Sequence, residues 1–337
     1  MREKEAEAAR NATRGLILQP GAIGDCILTL PLAEFLKDSL KLGGVDILGH
    51  TEYIGIFPSR TCVDGVRSMD SIDLHRLFAE TDKFDLADRD ALINVFSDYS
   101  WIVTFLGEPD SDFERNLIFT ANCSRSVEVI TLSMKPSENS SVHITDFYIE
   151  QFIAQAGLSL ETPSVRKTNS LIKPTRADIN RGRELLKEIN VEKPVVIQPG
   201  SGGLHKCCHL DNFLAVAEEL ASKGIEVIFL LGPTELEQFS NSQIKRINGV
   251  VKCLTDLSLT GVLEFLSCAV AFLGNDSGIT HLAAAIGVKT IAVFGPTEPS
   301  VYSPIGPAVT VIKSSDADFT KKPSAKLQQQ ICEILLA

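Results

Sequence analysis

No two cysteines in this 337-residue chain have the two-residue spacing of a zinc ribbon, although eight are present. Cys26, Cys62, Cys123, Cys207, Cys208, Cys253, Cys268 and Cys332 are scattered. This argues against structural zinc and reads as reduced thiols acting as small apolar residues. Cys207 and Cys208, flanked by His205 and His209, form the one local group with metal-ligand chemistry. Basic residues are scarce: 32 Lys plus Arg face 43 Asp plus Glu, for a net charge of −11. A broad nucleic-acid-binding surface needs clustered positive charge, so no nucleic-acid partner is expected. Long apolar runs are missing too. The most apolar stretch, residues 15–36, is interrupted by Gln19, Pro20, Asp25 and Pro31, so it does not read as a membrane span. The opening MREKEAEAAR is charged and has no apolar segment, so it reads as a solvated tail and not as a secretory signal. A cytoplasmic protein is expected. Neither GxGxxG nor GxSxG occurs, which weakens dinucleotide binding and serine hydrolysis as readings.

At roughly 150 residues per domain the length predicts two domains. Hydrophobic residues at 44% and charged residues at 22% are ordinary for globular chains. Short apolar runs at residues 16–18, 45–48, 101–105 and 127–131 read as strands in the first half. Runs at 195–198, 227–231, 250–253, 269–273 and 290–294 do so in the second. Amphipathic stretches lie between them. Near-continuous apolar strands alternating with helices predict parallel sheets covered on both faces, an α/β class. One string recurs: LILQPGAIG at 16–24 returns as VVIQPGSGG at 195–203. Each is a buried strand, then Gln-Pro-Gly, then a loop of small residues. Two similar domains explain this economically, with their loops at the carboxyl ends of strands, where such sheets bind ligands. The boundary is expected near Lys173-Pro174-Thr175. Residues 1–175 carry a charge of −9 and residues 176–337 only −2.

Three loops carry chemistry. In the first, Gly21 and Gly24 let the chain turn tightly ahead of a helix, and Asp25 is either that helix's N-terminal cap or a general base. In the second, Ser201, Gly202 and Lys206 could cradle a diphosphate through amides, a hydroxyl and a point charge. The third, Gly274-Asn275-Asp276-Ser277-Gly278-Ile279-Thr280-His281, follows a strand and opens an apolar helix. Ser277 and Gly278 would present amides to an anion, Asp276 could bond sugar hydroxyls, and His281 lies one turn in. Glu235, after the strand at 227–231, sits where α/β folds often hold a ribose hydroxyl. Asp110-Ser111-Asp112 reads as surface.

RGLILQPGAIGDCILTLPLAEFLK, VVIQPGSGGLHKCCHLDNFLAVAEEL, VIFLLGPTELE and GNDSGITHLAAAIGVKTIAVFGPTEPSVYSPIGP together resemble the bacterial heptosyltransferases of glycosyltransferase family 9. The resemblance implies a GT-B fold: two facing Rossmann-like domains with parallel sheets and a C-terminal crossover helix. Residues 14–173 would be an acceptor-binding domain and 176–315 a nucleotide-sugar-binding domain. Residues 322–336 would be a helix packing back on the first domain. It further implies metal-independent, inverting transfer of a sugar without a cofactor, from ADP-heptose to lipopolysaccharide or another cell-surface glycan. Such an enzyme would meet its lipid-linked acceptor at the inner face of the plasma membrane. By motif, Asp25 matches the catalytic base and Ser201 and Lys206 the diphosphate loop. Glu235 matches the ribose-contacting acid and Asp276 the donor-sugar residue. Ser277 and Gly278 match the phosphate-binding turn, with His281 beside it. The acidic first half suits a less charged acceptor glycan. The alternative is a nucleotide-sugar binder without transfer activity in a glycan-assembly complex.

Overall fold

In the computed structural model, residues 13–137, 140–160, 169–314 and 318–337 are described. The chain divides into two compact units, Met1–Val165 and Arg166–Ala337. The first unit holds a five-stranded sheet in the order β3-β2-β1-β4-β5, built from β1 (Arg14–Gln19), β2 (Gly44–Gly49), β3 (Gly65–Ser68), β4 (Tyr99–Thr104) and β5 (Glu128–Thr131). The second holds a six-stranded sheet in the order β11-β10-β9-β6-β7-β8. Its strands are β6 (Val195–Gln198), β7 (Val227–Leu230), β8 (Lys252–Leu254), β9 (Ala271–Asn275), β10 (Lys289–Phe294) and β11 (Val309–Lys313). Every pairing is parallel. The central strands are buried on both faces: Leu16, Ile17 and Leu18 in β1, and Val196 and Ile197 in β6, are fully enclosed. This is the predicted α/β class with two parallel sheets. Two of the four edge strands, β3 and β11, escaped sequence reading because GVRS and VTVIK are largely half exposed or exposed and carry no long apolar run.

Two helices of the first unit follow β1 directly. α1 (Ile23–Leu28) ends at Thr29, and α2 (Leu30–Ser39) restarts with Pro31 in its first turn, where a missing N–H costs nothing. In the second unit, α3 (Leu210–Ser222), α4 (Pro233–Gln238) and α5 (Gly278–Ala285) each follow a strand's carboxyl end. No helix among the described residues is long and apolar enough to cross a membrane.

Two boundary expectations are corrected. The division lies before Lys173: buried Ile172 already belongs to the second unit, where its N–H donates to the Ala285 carbonyl at 3.0 Å. Thr175 then caps the helix Arg176–Glu188, inside the second unit. The C-terminal helix α6 (Ala325–Leu336) was expected on the first unit. Its apolar face instead completes the second unit's own core, where Leu327 and Ile331 join Phe213, Val216, Ala217 and Leu220 of α3. The Asn212 side-chain carbonyl accepts from Ser324 N–H at 2.7 Å and Gln328 Nε2 at 3.2 Å, fixing the helix start. α3 presents an apolar stripe that only a neighbouring amphipathic helix can cover.

Ile331→Ala should therefore destabilise the second unit by about 2–4 kcal/mol through a cavity against α3. Urea unfolding followed by circular dichroism will read this as a lower midpoint. An unchanged midpoint would refute the packing assignment.

Candidate functional site

The second unit's site forms where strand order reverses. β6 is the unit's first strand; β7 lies on one side of it and β9 on the other, so the loops after these three strands diverge and leave a crevice. The loop after β6 is braced at both ends by one side chain. Asn275, fully buried at the end of β9, donates from Nδ2 to the Pro199 carbonyl at 2.6 Å and accepts from Cys208 N–H at 2.9 Å through Oδ1. A loop of small residues is thereby held rigid. Cys208 packs in the core and His209 caps α3, so neither remains available to the cysteine–histidine group noted in the sequence. Burial also raises the Cys207 thiol to about 11, which keeps it neutral.

Asp276 is the electrostatic centre. Its side chain is only 5% exposed, and Lys206 Nζ and Thr297 Oγ1 each donate to Oδ2 at 2.9 Å. His281 Nε2 lies 3.7 Å from Oδ1. Burial alone would push this carboxyl up. Hydrogen bonds and charge from His281 and Lys206 outweigh it and hold the group well below the usual carboxylate range. His281 is itself buried, and its Nδ1 has no hydrogen-bond partner among the described residues. Ser201 is placed differently from its expected role. Its hydroxyl proton goes to the Asp276 carbonyl at 2.6 Å, so the side chain pins the loop and has no proton to offer an anion. Gly202 borders open space, where an added Cβ would meet nothing within 4 Å.

Glu235 is 1% exposed in the first turn of α4, and no cation pairs with it among the described residues. Burial pushes its carboxyl up, against hydrogen bonds from Gly232 N–H at 2.7 Å and Gln198 Nε2 at 2.5 Å. A buried carboxylate held only by neutral donors is costly, and such groups collect at functional sites. Gly200 makes room for it: a Cβ there would lie 1.8 Å from Glu235 Oε1. Ser277 caps α5, its Oγ accepting from Thr280 N–H at 3.3 Å and donating to Gln198 Oε1 at 2.9 Å. The cap is neutral and Gly278 begins the helix, so the N-terminal amides keep their attraction for an anion. The second unit therefore brings Lys206, Glu235, Asp276, Ser277, Gly278 and His281 to one crest.

In the first unit Asp25 lies in the first turn of α1, and Ala22 N–H donates to its Oδ2 at 3.0 Å. Its Oδ1 has no partner among the described residues. Gly21 is required beneath it, because a Cβ would approach Asp25 Cβ to 2.6 Å and Met134 Cε to 2.8 Å. Gly24 proves to be helical, inside α1, and not part of the turn. Asp110-Ser111-Asp112 is a helix start: Ser111 caps the helix Asp112–Asn122 and Asp112 accepts from Thr81 Oγ1 at 2.7 Å. Among the described residues one group has metal-ligand proximity, namely His50, Glu52 and Asp70, and its two carboxylates are exposed.

Sequence reasoning quoted Gln198 and Asn275 within their motifs but assigned no role to them or to Thr297. For the two amides the available signal was polarity at the end of an otherwise apolar strand, since a buried amide must find partners.

A sequence model of the family described as glycosyltransferase family 9 (heptosyltransferase) matches residues 137–331, more than half of the chain. The chain belongs to glycosyltransferase family 9. It is a glycosyltransferase with two parallel-sheet α/β units. Among characterised relatives, lipopolysaccharide heptosyltransferase 3 of Escherichia coli is 24% identical over 83% of each chain. The crystal structure of a glycosyltransferase family 9 protein from Veillonella parvula DSM 2008 superposes with a TM-score of 0.73 at 15% identity, over 97% of this chain and 98% of that one. E. coli ADP-heptose lipopolysaccharide heptosyltransferase II superposes with a TM-score of 0.70 at 14% identity, over 96% and 98%. At such identities the two structures establish the fold alone.

The family 9 chain should show a definite acid signature at Asp276. Because its folded carboxyl lies below the unfolded value of about 3.9, its stabilisation is complete above that pH and is lost as pH falls toward the folded value. The stability difference between wild type and Asp276→Asn should be flat from neutral pH down to about pH 4 and then shrink. Denaturant unfolding across pH will measure it; a difference that grows in acid would contradict the assigned ion pair.

Proposed function

We propose that this enzyme moves a heptose from ADP-heptose to a lipopolysaccharide-type acceptor with inversion at the anomeric carbon and without a metal. The observation that supports it most is the second unit's crest. There a buried, cation-poor Glu235 stands beside a neutral-capped helix N-terminus and the Lys206–Asp276–His281 group. The chemistry of those groups fits a nucleotide sugar part by part. Glu235 can accept from ribose hydroxyls, the α5 amides and Lys206 suit a diphosphate, and Asp276 can accept from sugar hydroxyls. Heptosyltransferase relatives named for ADP-heptose and lipopolysaccharide support the donor and acceptor classes.

Asp25 supplies the base. Ala22 N–H orients one carboxylate oxygen and leaves the other to accept a proton from the acceptor hydroxyl. As that oxygen bonds to the anomeric carbon, the bond from carbon to the diphosphate oxygen breaks on the opposite face. The configuration inverts and ADP leaves carrying the electron pair. The leaving diphosphate gains negative charge, which Lys206 and the α5 amides stabilise where it develops. The Lys206 ammonium carries several N–H donors, so it can turn to the phosphate while keeping Asp276. Lipid-linked acceptors would draw the enzyme to the cytoplasmic face of the inner membrane.

Asp25→Asn should lower kcat for donor-dependent ADP release by about 10²–10⁴-fold while leaving ADP affinity near wild type. Coupled ADP release assays and calorimetry will separate the two effects. Retained turnover in the variant would refute the base assignment. Tight ADP-heptose binding by the wild type, with no turnover on any lipopolysaccharide or neutral glycan, would favour a binding protein.

A further inference from the structure

We propose that Gln198 is the positioning residue that ties the nucleoside end of the donor site to its phosphate end; this rests on the donor reading above. Gln198 ends β6, the strand flanked by β7 and β9, and it is buried. One side-chain amide reaches both neighbours' loops. Nε2 donates to Glu235 Oε1 at 2.5 Å, beyond β7, and Oε1 accepts from Ser277 Oγ at 2.9 Å, beyond β9. With Glu235 ionised the amide lies one way round, because its oxygen against the carboxylate would repel. Glu235 therefore sets the orientation of the amide, and the amide sets the rotamer of Ser277 that caps α5. On the other side, Gly232 N–H and the absence of a side chain at Gly200 fix Glu235 in turn. A ligand that engages Glu235 and the α5 amides together meets two groups already spaced by a single rigid bridge. Without that bridge each half can still bind its part of the donor, but the spacing must be paid in order at every binding event.

Gln198→Met keeps the length of the side chain and removes both hydrogen bonds. In the full chain we expect the KM for ADP-heptose to rise about tenfold while kcat falls by less, the signature of lost ground-state positioning. Calorimetry with adenosine, inorganic pyrophosphate and ADP makes the test specific. The loss of ADP affinity should exceed the combined losses for adenosine and pyrophosphate, since only ADP uses the spacing. Gln198→Glu is isosteric and guards against misfolding. Its titratable surroundings are Glu235, the neutral Cys207 thiol and, past Ser277, the Asp276, Lys206 and His281 group. Two adjacent carboxyls share one proton in acid and repel when both ionise, so this variant's donor KM should approach wild type near about pH 5.5 and worsen toward about pH 8. ADP affinity within about twofold of wild type in Gln198→Met, or a wild-type-like pH profile in Gln198→Glu, would overturn the role of Gln198 alone. A wild type that binds no nucleoside diphosphate would overturn the donor reading itself.

Discussion

A parallel strand covered on both faces can meet water only at its ends, and whatever polar group stands there must be satisfied by the loops it feeds. Both units obey this constraint with the same device. Gln19 closes β1 fully buried, donating from Nε2 to Thr29 Oγ1 at 2.6 Å and accepting from Gly21 N–H at 2.8 Å. Gln198 closes β6 in the same register position and reaches Glu235 and Ser277. The repeated Gln-Pro-Gly is thus more than an echo of a shared fold. The glutamine anchors a loop, the proline ends the strand, and the glycine lets a carboxylate stand over the backbone. In both units that carboxylate, Asp25 or Glu235, would collide with any side chain at the glycine.

The two buried carboxylates of the second unit show how differently one fold treats negative charge. Asp276 is compensated by Lys206, His281 and Thr297 and stays ionised into acid. Glu235 receives only neutral donors and is pushed the other way by burial. Pairing stabilises the first; the second stands at a cost that packing elsewhere must offset. A crest that holds both would suit the proposed ligand, with its diphosphate and several hydroxyl groups. Such a ligand can use the lysine without unsatisfying the aspartate, and can supply Glu235 with the donors it lacks.

How much of this was legible depends on whether the signal was local. Strands such as 195–198 and 290–294 announce themselves because burial on both faces demands apolar residues at nearly every interior position. At the sheet edges that demand lapses: β5 and β8 kept enough of an apolar run to be read, whereas β3 and β11 did not. The motif residues Lys206, Asp276, Ser277 and His281 could be placed together because each follows a strand's carboxyl end. The role of Ser201 could not be read, since its partner is a backbone carbonyl 75 residues away. Nor could the destination of the last helix. An amphipathic stripe shows that a helix must be covered, and only the three-dimensional course of the chain shows that α3 covers it.

The helix ends of the two units differ in how they would treat an anion. α1 and α5 both follow a short turn at the crest of a central strand, and a helix N-terminus attracts anions. α1 answers that attraction from within: Asp25 in its first turn takes Ala22 N–H and cancels the positive end with its own charge. A phosphate arriving there would meet a carboxylate. α5 is capped by the neutral hydroxyl of Ser277 and has no acidic residue in its first turn, and the adjacent Asp276 is offset by Lys206. The same local geometry would therefore disfavour a phosphate in one unit and favour it in the other. The difference lies in the first turn: a carboxylate three residues past the Ala22 cap in the first unit, and only the neutral hydroxyl of Ser277 at the cap in the second.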